Sequence, residues 1–86
     1  MSEDPIARLK RLKMRSMRRG IKEMDLILSA FADRELSNMS DAQLHQYDAM
    51  LNENDQDLYT WVSGQSDPPQ ELFPLILKIK SGLPQN

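Results

Sequence analysis

Apolar positions recur along this chain at intervals of three and four residues, the spacing of one face of an α-helix, and no stretch alternates as a strand would. From Pro5 to about Arg18, Ile6, Leu9, Met14 and Met17 share a face with Leu12 at its edge, and Asp4 stands ahead of an N1-type proline. The same wheel places Arg8, Arg11, Arg15, Arg18 and Arg19 on the far side, as a cationic ridge. Gly20 interrupts this helix. Ile21, Met24, Ile27, Leu28 and Phe31 then mark the stripe of a second one, ending near Asp33 to Leu36.

Ser40 with Gln43 three residues on forms a capping box that opens a third helix, with Leu44, Tyr47 and Leu51 on its inner face. Asn54 and Asp57 start a short fourth helix carrying Leu58, Trp61 and Val62, and Gly64 stops it at C′. A fifth begins at Asp67 as cap, with Pro68 and Pro69 in or before its first turn, and runs to Ser81, where Gly82 and Pro84 end it. Its apolar residues, from Leu72 to Ile79, surround nearly the whole helix. That pattern suits either central burial or an extra surface for a partner. The predicted fold is therefore all-α, a compact bundle of about five short helices, in a single domain over 1–86 with 1–4 and 83–86 as flexible ends.

Composition narrows what such a bundle can do. With 86 residues the core is small, so a binding module is a better expectation than a deep catalytic cleft. The 40% of apolar and 28% of charged residues are those of a folded chain. Without cysteine there is no disulfide, thiolate nucleophile or cysteine-held metal. The acidic start resembles neither a signal nor a transit peptide, and no apolar run reaches the roughly 20 residues of a membrane span, which suggests a cytoplasmic protein without direct membrane insertion.

The net charge of −2 hides an asymmetry: residues 1–22 hold eight Lys/Arg against two acids, and the remainder three against 11. The lone histidine, His45, sits among glutamines on a polar face, where a solvated imidazole is expected and a metal ligand is not. The run at 52–57 lacks the glycine and glutamate of a calcium loop, and the isolated glycines form no phosphate loop. No arrangement of residues points to an enzyme.

The segment around Gly20 is different. In structural terms the glycine re-caps the chain between two helices, with Glu23 as an N3 acid on the helix dipole and the arginines as a solvated face. In functional terms, glycine allows another backbone to approach, Arg19 offers a planar fork to carboxylate or carbonyl acceptors, and Glu23 returns one turn later as an acceptor for cations.

Arg19-Gly20-x-x-Glu23, followed by Met24-Asp25 and preceded by Arg18, resembles the RGxxE signature of the SdhE family of flavinylation factors, also called succinate dehydrogenase assembly factor 2. The stretch from Asn54 to Gly64, with its D-x-D-L-x-x-W element, is similar to that family's second block. The resemblance implies a five-helix assembly factor that binds the flavoprotein subunit of succinate dehydrogenase, or the related fumarate reductase, and promotes covalent attachment of FAD to one of its histidines. On that resemblance Arg19, Gly20 and Glu23 form the partner-binding signature, with Arg18, Asp25 and Arg15 beside it. Many relatives carry an aromatic residue where Met17 stands. The FAD belongs to the client, no cofactor being held stably, and the free chain is expected to be a monomer.

The rival expectation is a small nucleic-acid-binding or antitoxin-like regulatory protein using the basic first helix, which carries seven Lys/Arg between residues 8 and 19. The acidic remainder of the chain opposes nucleic acid as the partner.

Overall fold

A computed structural model of the protein describes residues 3–83. Asp4 accepts a hydrogen bond from the Ala7 N–H and caps α1 (Pro5–Arg15), with Pro5 in the first turn as its fixed φ favours. After a six-residue loop comes α2 (Lys22–Glu35), extended by a 3₁₀ turn over Leu36–Asn38. Ser40 and Gln43 close the expected capping box on α3 (Asp41–Met50). Asn54 caps α4 (Asp55–Val62), and Gly64, at φ +85°, supplies the left-handed residue just beyond it. The last helix is α5 (Phe73–Ser81). Among the described residues there is no strand, and the all-α, five-helix expectation holds.

Two elements differ from their sequence reading. Asp67 caps nothing: the chain first makes a 3₁₀ turn at Gln70–Leu72, and the proline inside the first turn of α5 is Pro74. Pro68 and Pro69 hold the approach extended instead, since proline restricts both itself and the residue before it.

The second difference is the rotation of α1. Leu12 is fully buried and Leu9 half-buried, whereas Ile6 and Met14 are 65% and 71% exposed. At about 100° per residue, Leu12, Ser16, Leu9, Arg8 and Arg15 share one side, so the helix buries the flank that carries its arginines. The reason lies on α3, whose acids lie within reach of those guanidinium groups.

The core is one cluster drawn from all five helices, with Met24, Leu28, Tyr47, Met50 and Leu58 completely buried. Phe31 stacks on Tyr47 at 5.5 Å between ring centroids, and Arg34 lies over the Phe31 ring. The Tyr47 hydroxyl, deep in that cluster, shares a 2.6 Å hydrogen bond with the buried Ser16 Oγ, which also donates to the Leu12 carbonyl. Trp61 is only half-buried and packs on the edge of the cluster, while Phe73 and Leu77 stay about half exposed. Thus α5 buries one face, through Leu75, Ile76 and Ile79, and leaves another uncovered.

Candidate functional site

The loop between α1 and α2 begins where Ser16 ends α1, its N–H donating to the Leu12 and Lys13 carbonyls. Two residues on, Arg18 adopts φ +57°, a left-handed conformation that costs a non-glycine residue roughly 1–2 kcal/mol. Gly20 is therefore not the left-handed residue of this turn. Its role is spatial, because a Cβ there would stand 3.1 Å from Asp55 Oδ2. Within this chain the close neighbour is a carboxylate from α4.

Arg19 explains why that carboxylate is so near. Its Nε donates to Asp55 Oδ1 at 2.8 Å and its Nη2 lies 2.7 Å from the same oxygen, while the Gly20 N–H donates to Oδ2. Its Nη1 donates to the carbonyls of Arg15 at 3.1 Å and Leu51 at 3.3 Å, and Nη2 reaches the Glu53 carbonyl at 3.4 Å. Arg15 ends α1 and Leu51 caps α3, so one planar cation satisfies carbonyls left without partners at two helix C-termini and binds a carboxylate at the N-terminus of α4. The side chains of Arg19 and Asp55 are only 13% and 16% exposed. Arg19 is thus turned inward as a brace between helix ends, and the sequence placed it outward.

Arg15 is likewise engaged inside the molecule. It bonds the carboxylate and carbonyl of Asp48 and, at 2.7 Å, Asn52 Oδ1. Arg11 grips Asp48 with two bonds of 2.9 and 3.0 Å and Glu3 with two of 2.9 Å, and Arg8 reaches Asp41. The cationic ridge is a ladder joining α1 to α3. Hydrogen bonding from Arg11, with its charge behind it, holds the carboxyls of Asp48 and Glu3 below their ordinary range, and these acids in turn keep Arg11 charged. Lys13 is paired with Asp33 as well, which leaves Lys10, Arg18 and Lys22 as the cations of residues 8–22 without an ion-pair partner among the described residues.

The remaining signature residues lie on the surface. Arg18, Gly20 and Glu23 are exposed, and Asp25 is half-buried, accepting from Ser29 Oγ at 3.2 Å. With Ile21 as the N-cap of α2, Glu23 takes the second helical position, one earlier than its spacing suggested, still in the turn where the dipole favours an acid. Glu23 also borders an open depression lined by Leu26, Ile27, Tyr59, Val62 and Leu83, with Leu26 63% exposed. His45 lies exposed on α3, and no group of three or more acids and histidines suited to a metal occurs among the described residues.

Sequence reasoning missed Asp55 and Asp48, the acids that decide where the arginines go. A signal for Asp55 did exist: it opens the acidic second block, and a basic signature paired with an acidic one invites a contact between them.

Fold and site together define a small all-α domain with a braced polar loop on its surface. A family model described as flavinator of succinate dehydrogenase matches residues 10–82, which takes in that loop and the acidic block. The chain belongs to this family. Among relatives, it is 52% identical over 61 residues to a mitochondrial succinate dehydrogenase assembly factor 2 of Aspergillus flavus, covering 71% of this chain and 20% of that protein. It is 36% identical over 64 residues to the FAD assembly factor SdhE of Legionella pneumophila, covering 74% of this chain and 81% of that protein. The chain thus spans about a fifth of the length of the Aspergillus relative and most of the Legionella one. By name the fungal proteins are mitochondrial, so family membership does not assign a cytoplasmic location. Among the described residues no helix is long and apolar enough to cross a membrane.

Proposed function

We propose that this chain is an assembly factor that binds the flavoprotein subunit of succinate dehydrogenase, or of fumarate reductase, and promotes covalent attachment of FAD to that subunit. The observation that carries this reading is the presence, on a member of the family, of Arg18 and Gly20 at the surface of a loop bonded from beneath to Asp55, with Glu23 exposed in the first turn of α2. The client supplies the nucleophilic histidine and the flavin supplies the electrophile. The factor acts by orientation: it binds the client conformer that holds the two at reacting distance and so raises the population of productive encounters. Only differential affinity can do this. Arg18 and Glu23 offer opposite charges on either side of the exposed Gly20 in the sequence, and the apolar depression beside Glu23 extends the contact. FAD stays with the client, and the free factor is a monomer.

Nucleic acid is a poorer partner for the same surface, because the arginines that would track phosphates already hold acids of the chain itself. The test uses the purified client subunit lacking covalent flavin, mixed with FAD and the factor. Covalent flavin is read as fluorescence of the client band after denaturing electrophoresis. Gly20→Arg, checked by circular dichroism to be folded, should cut the rate at least about tenfold, the loss of roughly one polar contact's worth of docking energy. Normal flavinylation with that variant would refute the reading.

A further inference from the structure

We infer that Asp55 is a positioning residue for client docking: through both of its carboxylate oxygens it sets the pose in which the α1–α2 loop presents Arg18 and Gly20 beside Glu23 at the start of α2. The inference rests on the function proposed above, and it assigns a task to a residue outside the signature, 35 positions away from Gly20 in the chain.

The attachment has two points. Arg19 Nε bonds one oxygen at 2.8 Å and the Gly20 N–H bonds the other. A single bond would leave the loop free to turn about it. Two bonds to a rigid carboxylate fix orientation as well as position. At the loop's middle the backbone has no other tie: after the Met17 N–H donates to the Met14 carbonyl at 3.1 Å, neither Arg18 nor Arg19 donates its N–H to a backbone carbonyl among the described residues, and the remaining bonds there come from the Arg19 side chain. Asp55 itself is well anchored, standing in the first turn of a helix whose N-cap is made by Asn54 and whose next turn is buried through Leu58.

The position of Asp55 also accounts for glycine at residue 20, since any side chain there begins 3.1 Å from Oδ2. Arg18, which like Glu23 has no ion-pair partner among the described residues, takes its placement relative to Glu23 in α2 from this anchor. Removing the carboxylate leaves the Arg19 cation facing only carbonyls and the Gly20 N–H without its acceptor. The loop then samples several poses. Apparent affinity falls by the fraction of chains still in the competent pose, so a drop to about a tenth raises Kd about tenfold.

The experiment titrates the purified flavoprotein subunit of succinate dehydrogenase against the full chain. Asp55→Ala should raise Kd about tenfold, and Asp55→Asn, which keeps one acceptor oxygen, should raise it less. Amide hydrogen exchange at Gly20 should quicken in step, while Leu28 and Ile76 in the core keep their protection, a separation that general destabilisation would not produce. In a double-mutant cycle Arg19→Ala should cost as much as Asp55→Ala, and the two together no more than either alone. Should the alanine variants fail to fold, Asp55→Asn and Arg19→Lys run the same cycle. Additive losses in a chain that binds would show Arg19 meeting the client independently and would overturn this inference alone. An unchanged Kd with fast exchange at Gly20 would overturn it equally. Failure of the unaltered chain to bind the subunit would remove the proposed function, and this inference with it.

Discussion

Gly20 and Arg19 are neighbours in the chain with different duties. Gly20 is exposed and its backbone is not left-handed, so alanine fits its conformation, and the only obstacle is an oxygen 3.1 Å from the new Cβ. Gly20→Ala gains from a less flexible unfolded chain and loses part of the bond to Asp55, so urea unfolding should show a net change within about 1 kcal/mol. Arg19→Ala removes the partner of a largely buried carboxylate and of three carbonyls at once. That should cost about 2–3 kcal/mol in the same measurement. If the two substitutions were equally mild, Arg19 would not be the brace its geometry describes.

Between elements, the bonds from α1 to α3 make acid the condition under which the bundle weakens. Asp48 bonds Arg11 and Arg15 at once, and its folded carboxyl titrates below the ordinary aspartate range because Arg11 donates to it. The unfolded chain then binds the proton more readily than the folded one. Stability from this group is present above about pH 4 and is lost as pH falls through the depressed folded value. Urea midpoints followed from neutral pH downward should therefore drop below about pH 4, and Asp48→Asn should flatten that limb while lowering stability at pH 7. An unchanged acid limb in the variant would assign it to other carboxylates. The same elements show where helical patterning misleads. Arginines at helical spacing read as a solvated face until acids on a neighbouring helix claim them, and α1 then rotates to bury the flank between them. In α5 the apolar residues could not say which face is covered, because Phe73 and Leu77 are as hydrophobic as Leu75 and Ile76.

For the molecule as a whole, Tyr47 places a phenol in the completely buried part of the shared core. Burial pushes its phenol up to about 12 from the ordinary 10.0, the hydrogen bond with Ser16 and the charge of Arg19 opposing that rise in part. The folded protein holds this proton after the unfolded chain has released it. Stability therefore declines as pH rises from about 10 toward 12, the reverse of the acid limb. Phenolate absorbance should show one tyrosine titrating late, coincident with the loss of helical circular dichroism. Tyr47→Phe should remove the late step at a cost of about 1 kcal/mol, since Ser16 Oγ keeps its bond to Leu12.

Taken alone, the order of residues determined the helices that local chemistry dictates: a proline behind Asp4, the Ser40–Gln43 box, the Asn54 cap, and Gly64 as the left-handed stop. It also marked the two blocks, because signature residues are local in the chain. Only the tertiary structure decided the direction in which each charge points. Whether a guanidinium meets water or a carboxylate depends on which helix lies opposite, and Asp48 and Asp55 come from segments more than 30 residues away from the arginines they hold.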